Sequence, residues 1–388
     1  MTRALPVLLA CLVAASAAAD APRARDLGVP FEGMPGPLNA ITDVAGVTVG
    51  QVTLNEDLAD GRKVRTGVTA ILPRGRGTLD TNVYGAWFAL NGNGEMTGTA
   101  WLEESGQLEG PVMITNTHSV GVVRDAVIAW RVRAGGADTS GYWWSLPIVA
   151  ETWAGHLNDI NGFHVRPQHV DRALDTAATG PVAEGNVGGG TGMICHEFKC
   201  GIGTASRRVT IADAPYMLGV LVQANYGLRD TLRIAGVPVG QHIRNDRVYS
   251  EPDPKAAETG SIIIVIGTDA PLLPHQLKRI ARRATLGLGR MGSFAGNGSG
   301  DIFIAFSTAN AKAFGDEPLS QSASLGNGDI DALFNATVQA TEEAIVNAMV
   351  AARDMQGNEG HYAKALPHAE LVRLLRQYGR AVKGSTPR

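Results

Sequence analysis

The chain has 388 residues, a formal net charge of -3 and only 18% charged residues, with no run of basic residues. These values disfavour a nucleic-acid-binding protein, which would carry a basic patch, and the length is sufficient for a large α/β core. Aromatic residues make up 6% of the chain, so we expect a mainly aliphatic core, and the 48 glycines indicate many tight turns and close backbone contacts.

Residues 1–19 have the pattern of a secretory signal peptide. Arg3 supplies the positive charge, an apolar stretch covers residues 5–15, and alanines at 17–19 offer a cleavage site. The stretch is too short and too rich in alanine to be a good membrane span. We therefore expect a mature protein that is periplasmic or secreted and not bound to a membrane.

Only Cys195 and Cys200 remain once the signal peptide is removed. Their spacing does not match a zinc site, and the segment HEFKC, which follows Cys195 and ends at Cys200, lacks the second histidine of an H-E-x-x-H motif. The histidines show no ligand spacing elsewhere, so we expect neither a metal nor another cofactor. In an oxidising compartment the two cysteines can form a disulfide, and two buried free thiols are an equal alternative.

The predicted elements alternate between strands and helices without the regular period of a nucleotide-binding sheet. Residues 20–40 are rich in proline and glycine and predict an extended arm, and residues 41–52 predict a first hairpin. Further strands are predicted over 64–72, 84–90, 112–115, 146–152, 217–225, 262–266 and 301–306, and helices over 120–134, 274–287 and 334–353. Residues 287–292 match G-x-G-x-x-G in letters but follow a helix, so we interpret them as its end and a turn rather than a dinucleotide-binding loop.

A junction at residues 258–261 separates a polar, proline-containing stretch from the apolar run Ile262–Ile266. The simplest interpretation is a Gly-Ser turn that enters a buried strand. The alternative is that the chain is cut between Gly260 and Ser261, which would give Ser261 both a hydroxyl nucleophile and a free α-amine. An α-amine has a pKa of about 8, so it accepts a proton at physiological pH where a lysine does not.

Four other polar residues stand out by position. Ser299 and Asp301 lie in a tight turn flanked by glycines. Asn225 and Glu151 lie at the ends of apolar strands, where a buried amide or carboxylate needs partners. Taken singly, each residue is explained by ordinary turn chemistry or by internal hydrogen bonds.

Several segments together resemble the DmpA family of L-aminopeptidase/D-esterases, which includes the β-aminopeptidases. They are VAETWAGHLNDINGFHV, GGGTGMICHEFKCGIGTASR, GVLVQANYG, TGSIIIVIGTDAPLLPHQLKRIARRA and NGSGDIFIAFSTAN, and the resemblance runs from about Arg25 to about Leu374. It implies a four-layered αββα sandwich, related to ornithine acetyltransferase and analogous to N-terminal-nucleophile hydrolases. It also implies that the precursor cuts itself before Ser261. The large chain, residues 20–260, and the small chain, residues 261–388, would stay together as one catalytic domain.

The resemblance also implies roles for single residues. Ser299 and Asp301 would orient and polarise the nucleophile, and Asn225 would donate a hydrogen bond to the oxyanion. Glu151 would hold the free ammonium group of the substrate. The oxyanion contact made by a tyrosine in the type member falls near Trp153, whose indole has an N–H but no hydroxyl. The family pattern has a glycine where this chain has a cysteine at position 200.

We therefore expect an exported serine aminopeptidase that releases N-terminal amino acids from peptides, amides or esters through an acyl-enzyme. The resemblance further implies a homo-oligomer, a tetramer of processed heterodimers. The nearest alternative is an acyltransferase of the ornithine acetyltransferase type, but that family uses a threonine nucleophile where this chain has Ser261, and an exported protein has little use for arginine biosynthesis. The other alternative, an unprocessed binding module, is disfavoured because all the residues named above are present together.

Overall fold

The computed structural model describes residues 22–76, 81–135, 142–248, 260–314 and 318–380; the predicted signal peptide lies outside these ranges. Within them the strands are β1 (Thr48–Asp57), β2 (Lys63–Leu72), β3 (Val83–Ala89), β4 (Gln107–Leu108), β5 (Val112–Asn116), β6 (Ile148–Thr152), β7 (Ile194–Cys195), β8 (Phe198–Lys199), β9 (Ile202–Ile211), β10 (Ala214–Asn225), β11 (Ser261–Thr268), β12 (Gly300–Ser307), β13 (Met355–Gln356) and β14 (Tyr362–Ala363). The α-helices are α1 (Thr99–Ser105), α2 (Val120–Arg133), α3 (Pro167–Asp175), α4 (Val239–His242), α5 (Pro274–Arg290), α6 (Asp331–Val350) and α7 (His368–Gln377).

Two sheets form the centre of the molecule. One has the strand order β1-β2-β5-β6 and the other has the order β4-β3-β12-β11-β10-β9. Aliphatic side chains from both sheets, among them Ile114, Leu221 and Val265, fill the layer between them. Helices α2 and α3 cover the outer face of the first sheet, and α5 and α6 cover the outer face of the second. The predicted αββα sandwich is therefore confirmed.

Strand β11 lies inside the larger sheet, antiparallel to β10 and parallel to β12. Its apolar run Ile262–Ile266 explains this position, because alternate side chains enter the layer between the sheets and the layer under the helices. A strand that is buried on both faces needs such a continuous apolar sequence. Ser261, at the start of this run, consequently lies between two neighbouring strands.

Some predicted elements are wrong. The first hairpin joins β1 to β2 rather than lying within residues 41–52, because Ile41–Asp43 forms a 3-10 helix. Strand β9 and helices α1, α3 and α7 were not predicted. Helix α5 continues through Gly287 to Arg290 instead of ending at Gly287. A Cβ atom on Gly287 would lie 2.7 Å from Thr341 Cβ, so this glycine allows α5 to pack closely on α6.

The cysteine pairing that the sequence left open is resolved as a disulfide between Cys195 and Cys200, with their Cα atoms 5.4 Å apart. Within the described ranges, no helix is both long enough and apolar enough to cross a bilayer. The same residues contain no group of three or more His, Cys, Asp or Glu side chains arranged to hold a metal ion.

Candidate active site

Ser261 begins β11, and a residue of an adjacent strand flanks it on either side. Asn225, the last residue of β10, is its partner on one side, and Gly300, the first residue of β12, is its partner on the other. Ser261 and Asn225 are both buried. Alternation along the strands directs both side chains toward the layer between the sheets, like those of Ile263 and Leu221. The fold thus places the predicted nucleophile beside the predicted oxyanion donor.

The carbonyl group that precedes Ser261 is already polarised in the continuous chain. The Gly300 N–H donates a hydrogen bond to Gly260 O at 3.2 Å. A Cβ atom on Gly260 would lie 2.3 Å from the backbone oxygen of Asn225. A Cβ atom on Gly300 would lie 2.4 Å from the backbone oxygen of Asn93. Two glycines therefore permit a close approach of donor and carbonyl that any larger residue would block.

Ser299 and Asp301 form a hydrogen-bonded pair next to the nucleophile's strand. Ser299 Oγ donates to Asp301 Oδ1 at 2.7 Å, and both residues are fully buried. The Asp301 N–H donates to Asn91 Oδ1 at 2.7 Å, so the loop after β3 holds the start of β12. Alternation places the Asp301 side chain on the helix-facing side of β12, with Phe303. The pair therefore approaches Ser261 from the face opposite to its side chain.

Glu151 lies at the end of β6 and is buried. Its Oε1 accepts a hydrogen bond from the Glu95 N–H at 3.0 Å, and its Oε2 accepts one from the Thr117 hydroxyl. Burial raises the pKa of Glu151, against the lowering effect of these two hydrogen bonds. Among the described residues no Lys or Arg forms an ion pair with Glu151, and an ionised carboxylate has about four acceptor sites. Glu151 thus keeps the capacity to bind a cationic ligand.

The loop over residues 91–94 lies close both to Glu151 and to β12, the strand that pairs with the nucleophile's strand. A Cβ atom on Gly94 would lie 3.3 Å from Glu151 Oε1 and 3.3 Å from Gly300 Cα. Because Gly300 pairs with Ser261, Gly94 lies close both to Glu151 and to the strand partner of the predicted nucleophile. No role was predicted for this loop or for the threonine that donates to Glu151. The available signal was the Asn-Gly repeat directly after a buried strand, where binding loops commonly lie.

Trp153 contributes to the site through its main chain. Its backbone oxygen accepts a hydrogen bond from Asn225 Nδ2 at 2.9 Å. Trp153 is 46% exposed, and its indole lies over Gly155, where a Cβ atom would come within 2.3 Å of the ring. The main-chain contact orients the amide of Asn225, and a direct contact of the indole with substrate stays a prediction.

This chain is similar to known proteins that all point to one family. The profile of peptidase family S58 matches residues 39–363. The chain is 53% identical over 394 residues to beta-peptidyl aminopeptidase BapA of Sphingosinicella microcystinivorans, which covers 96% of this chain and 97% of the relative. It is 48% identical over 391 residues to the protein of the same name from Sphingosinicella xenopeptidilytica, which covers 96% of each chain.

Solved structures share the fold as well. The L-aminopeptidase D-Ala-esterase/amidase of Ochrobactrum anthropi, described as a variant of the Ntn hydrolase fold, has a TM-score of 0.87 and 50% identity, over 93% of this chain and 100% of that chain. A Burkholderia sp. beta-aminopeptidase has a TM-score of 0.83 and 50% identity, over 92% of this chain and 99% of that chain. Because these similarities extend over almost the full length, the resemblance seen in the sequence is confirmed. The chain belongs to peptidase family S58 and is a serine-type aminopeptidase.

Proposed function

We propose that the chain cuts itself between Gly260 and Ser261 and then uses Ser261 as an N-terminal nucleophile. The observation that carries the proposal is the hydrogen bond from the Gly300 N–H to Gly260 O, the oxygen of the bond to be cut. This donor stabilises the negative charge that develops when Ser261 Oγ adds to the carbonyl carbon. The C–N bond then breaks as its nitrogen takes a proton, and water hydrolyses the resulting ester.

In the processed enzyme, the freed α-amine of Ser261 accepts the proton of its own hydroxyl as Oγ attacks the substrate carbonyl. Asn225 donates its remaining Nδ2 hydrogen to the oxyanion, and Glu151 binds the substrate ammonium. Ser299 and Asp301 orient and polarise the nucleophile from the side of its α-amine. The leaving amine takes the proton back, and water releases the amino acid from the acyl-enzyme.

Cleavage is expected at one bond only, so sequencing of the smaller chain should read Ser-Ile-Ile-Ile-Val. Gly260→Ala should leave an uncut chain, because the added Cβ atom would lie 2.3 Å from the Asn225 backbone oxygen. Gly289→Ala is the matched control: its Cβ atom would have no neighbour within 4 Å, so this variant should be cut like the parent. On a denaturing gel, Gly260→Ala should give one band and the control two. A different N-terminus, or an intact chain in active preparations, would contradict the assignment.

We further propose that the substrates include peptides with an N-terminal β-amino acid. The support is the nearly full-length identity, 53% and 48%, to two proteins named beta-peptidyl aminopeptidase. In a panel of aminoacyl p-nitroanilides with α-L, α-D and β residues, we expect the highest kcat/KM for the β residues. A higher kcat/KM for the L- or D-alanyl substrates would instead favour the activity named for the Ochrobactrum protein.

We also propose that the protein is exported and forms a homo-oligomer, a tetramer of processed heterodimers. The signal peptide predicted over residues 1–19 supports export, as does the Cys195–Cys200 disulfide, since disulfides persist mainly in oxidising compartments. The exposed apolar side chains of Leu286 and Phe294, on and just beyond α5, support assembly. Cell fractionation and light scattering test these points. Recovery in the cytoplasm, or the mass of a single heterodimer, would contradict them.

A further inference from the structure

The short hairpin of β7 and β8 contacts the proposed oxyanion donor. The Ile194 N–H donates to Asn225 Oδ1 at 2.9 Å, while Asn225 Nδ2 donates to Trp153 O at 2.9 Å. These two bonds determine which way the amide faces, because a reversed amide would set its NH₂ group against an N–H and its oxygen against a carbonyl oxygen. In the observed orientation one Nδ2 hydrogen remains for an oxyanion.

The sequence of this hairpin does not favour the shape that it adopts. The ladder contains only two residue pairs, and the turn between the strands consists of His196 and Glu197, with φ angles of 48° and 60°. Two-residue turns with positive φ at both positions favour Asn-Gly or Gly-Gly, because a Cβ atom makes the left-handed region unfavourable. Contacts outside the turn must therefore hold the hairpin in place.

Three restraints close the open end of the hairpin: the disulfide, the Lys199 side chain and a hydrogen bond from the Cys200 N–H to Met193 O at 3.0 Å. The Cys195–Cys200 disulfide joins β7 to the residue that follows β8, and both cysteines are fully buried. The buried Lys199 Nζ donates to the backbone oxygens of Met193 and Cys200 at 2.8 and 2.5 Å. Cys195 follows Ile194 directly in the chain. The cross-link thus restrains the residue whose backbone N–H orients the amide.

We propose that the Cys195–Cys200 disulfide is a positioning device for the amide of Asn225. This inference rests on the proposed role of Asn225 as oxyanion donor. Hydrogen bonds from the buried Arg229 to the backbone oxygens of His196 and Glu197 hold the turn itself. Without the cross-link only hydrogen bonds hold the open end of the hairpin, the Ile194 N–H moves away from Asn225 Oδ1, and the amide rotates. The cost falls on the transition state, because the oxyanion charge develops only there. Binding of the substrate ammonium at Glu151, on the other sheet, is unaffected.

The test compares turnover per processed chain in a double-mutant cycle. The variant Cys195→Ala/Cys200→Ala should lower kcat about tenfold with an unchanged KM, a fraction of the ~10²–10³-fold cost of removing an oxyanion donor. Asn225→Ala should lower kcat by about 10²-fold. In the Asn225→Ala background, removal of the disulfide should cost nothing further, since the amide that it positions is absent. The control Val127→Ala, at a buried position of α2, should lower Tm without changing kcat.

Several results would overturn the inference. A disulfide variant with wild-type kcat, or losses that multiply in the combined variant, would show that the cross-link does not act through Asn225. An equal fall in kcat in Val127→Ala, at an equal loss of Tm, would show general destabilisation instead. If Asn225→Ala itself keeps wild-type kcat, the proposed oxyanion role fails, whatever the disulfide variant does. If the disulfide variant does not fold, the processed parent enzyme is treated with a phosphine reductant instead. Its free thiols are counted to establish reduction, and its kcat is then compared in the same way.

Discussion

Ser261→Ala is expected to yield an intact chain without aminopeptidase activity. The variant lacks the hydroxyl that attacks Gly260 in processing and the substrate carbonyl in catalysis. Alanine is smaller than serine and fits the buried start of β11, so the fold should be retained. Loss of the nucleophile of a serine protease costs about 10⁶-fold in kcat, and we expect a loss of this order. A denaturing gel and aminoacyl p-nitroanilide hydrolysis measure the two effects on the same preparation.

Ser261→Cys serves as the matched control, because a thiol can perform the same acyl shift. This variant should be cut at the same bond, so its small chain should begin with cysteine. Processing in the cysteine variant and not in the alanine variant would tie cleavage to the nucleophile at this position. Full peptidase activity in Ser261→Ala would rule out the mechanism.

Glu151→Gln is expected to be processed normally but to hydrolyse substrates with a free amine poorly. The segment that cuts itself presents no ammonium group, so processing does not need the charge. Removal of one partner of a buried charge pair costs about 2–5 kcal/mol, which corresponds to a loss of about 30-fold to several thousand-fold in kcat/KM. The measurement is kcat/KM for an aminoacyl ester and for its N-acetyl counterpart. The N-acetyl ester carries no ammonium and should lose much less.

The competing explanation is that Glu151 only satisfies its neighbours. Both of its oxygens do accept internal hydrogen bonds, from the Glu95 N–H and from the Thr117 hydroxyl. Loss of those bonds would disturb the site for any substrate. Equal losses on the free-amine and N-acetyl esters would therefore make Glu151 structural, and the ammonium site would lie elsewhere.

The same substrates also give a pH test. Burial raises the pKa of Glu151, so the carboxylate becomes neutral at a higher pH than an ordinary glutamate. Protonation of the Ser261 α-amine lowers kcat/KM for both esters at acid pH. As pH falls through the raised pKa of Glu151, kcat/KM should decline more steeply for the free-amine ester than for the N-acetyl ester, and Glu151→Gln should lack this difference. A carboxyl group with a raised pKa in the folded state contributes stability at low pH that is lost as pH rises. Protonation of Glu151 should therefore not unfold the protein, and the decline in kcat/KM at low pH should be seen on folded enzyme.

Local sequence was sufficient for the elements that carry the site. The run Ile262–Ile266 predicts a strand buried on both faces, and the spacing of apolar residues predicts helices α2 and α6, because both signals depend on neighbours within a few positions. The same reasoning failed at residues 41–52. There Ile41–Asp43 packs on β10, where a Cβ atom on Gly219 would lie 2.6 Å from Ile41 Cα, and this contact between distant segments outweighs the local pattern.

The sequence by itself also determined the chemistry that is available: a serine after a glycine, an amide and a carboxylate at strand ends, and a family resemblance that names them. Only the tertiary structure decided their arrangement. It placed the Gly300 N–H within hydrogen-bonding distance of Gly260 O. It also joined Cys195 to Cys200 in the hairpin whose Ile194 N–H donates to Asn225. Strand order and register arise from packing between segments far apart in the chain, and local patterns do not contain that information.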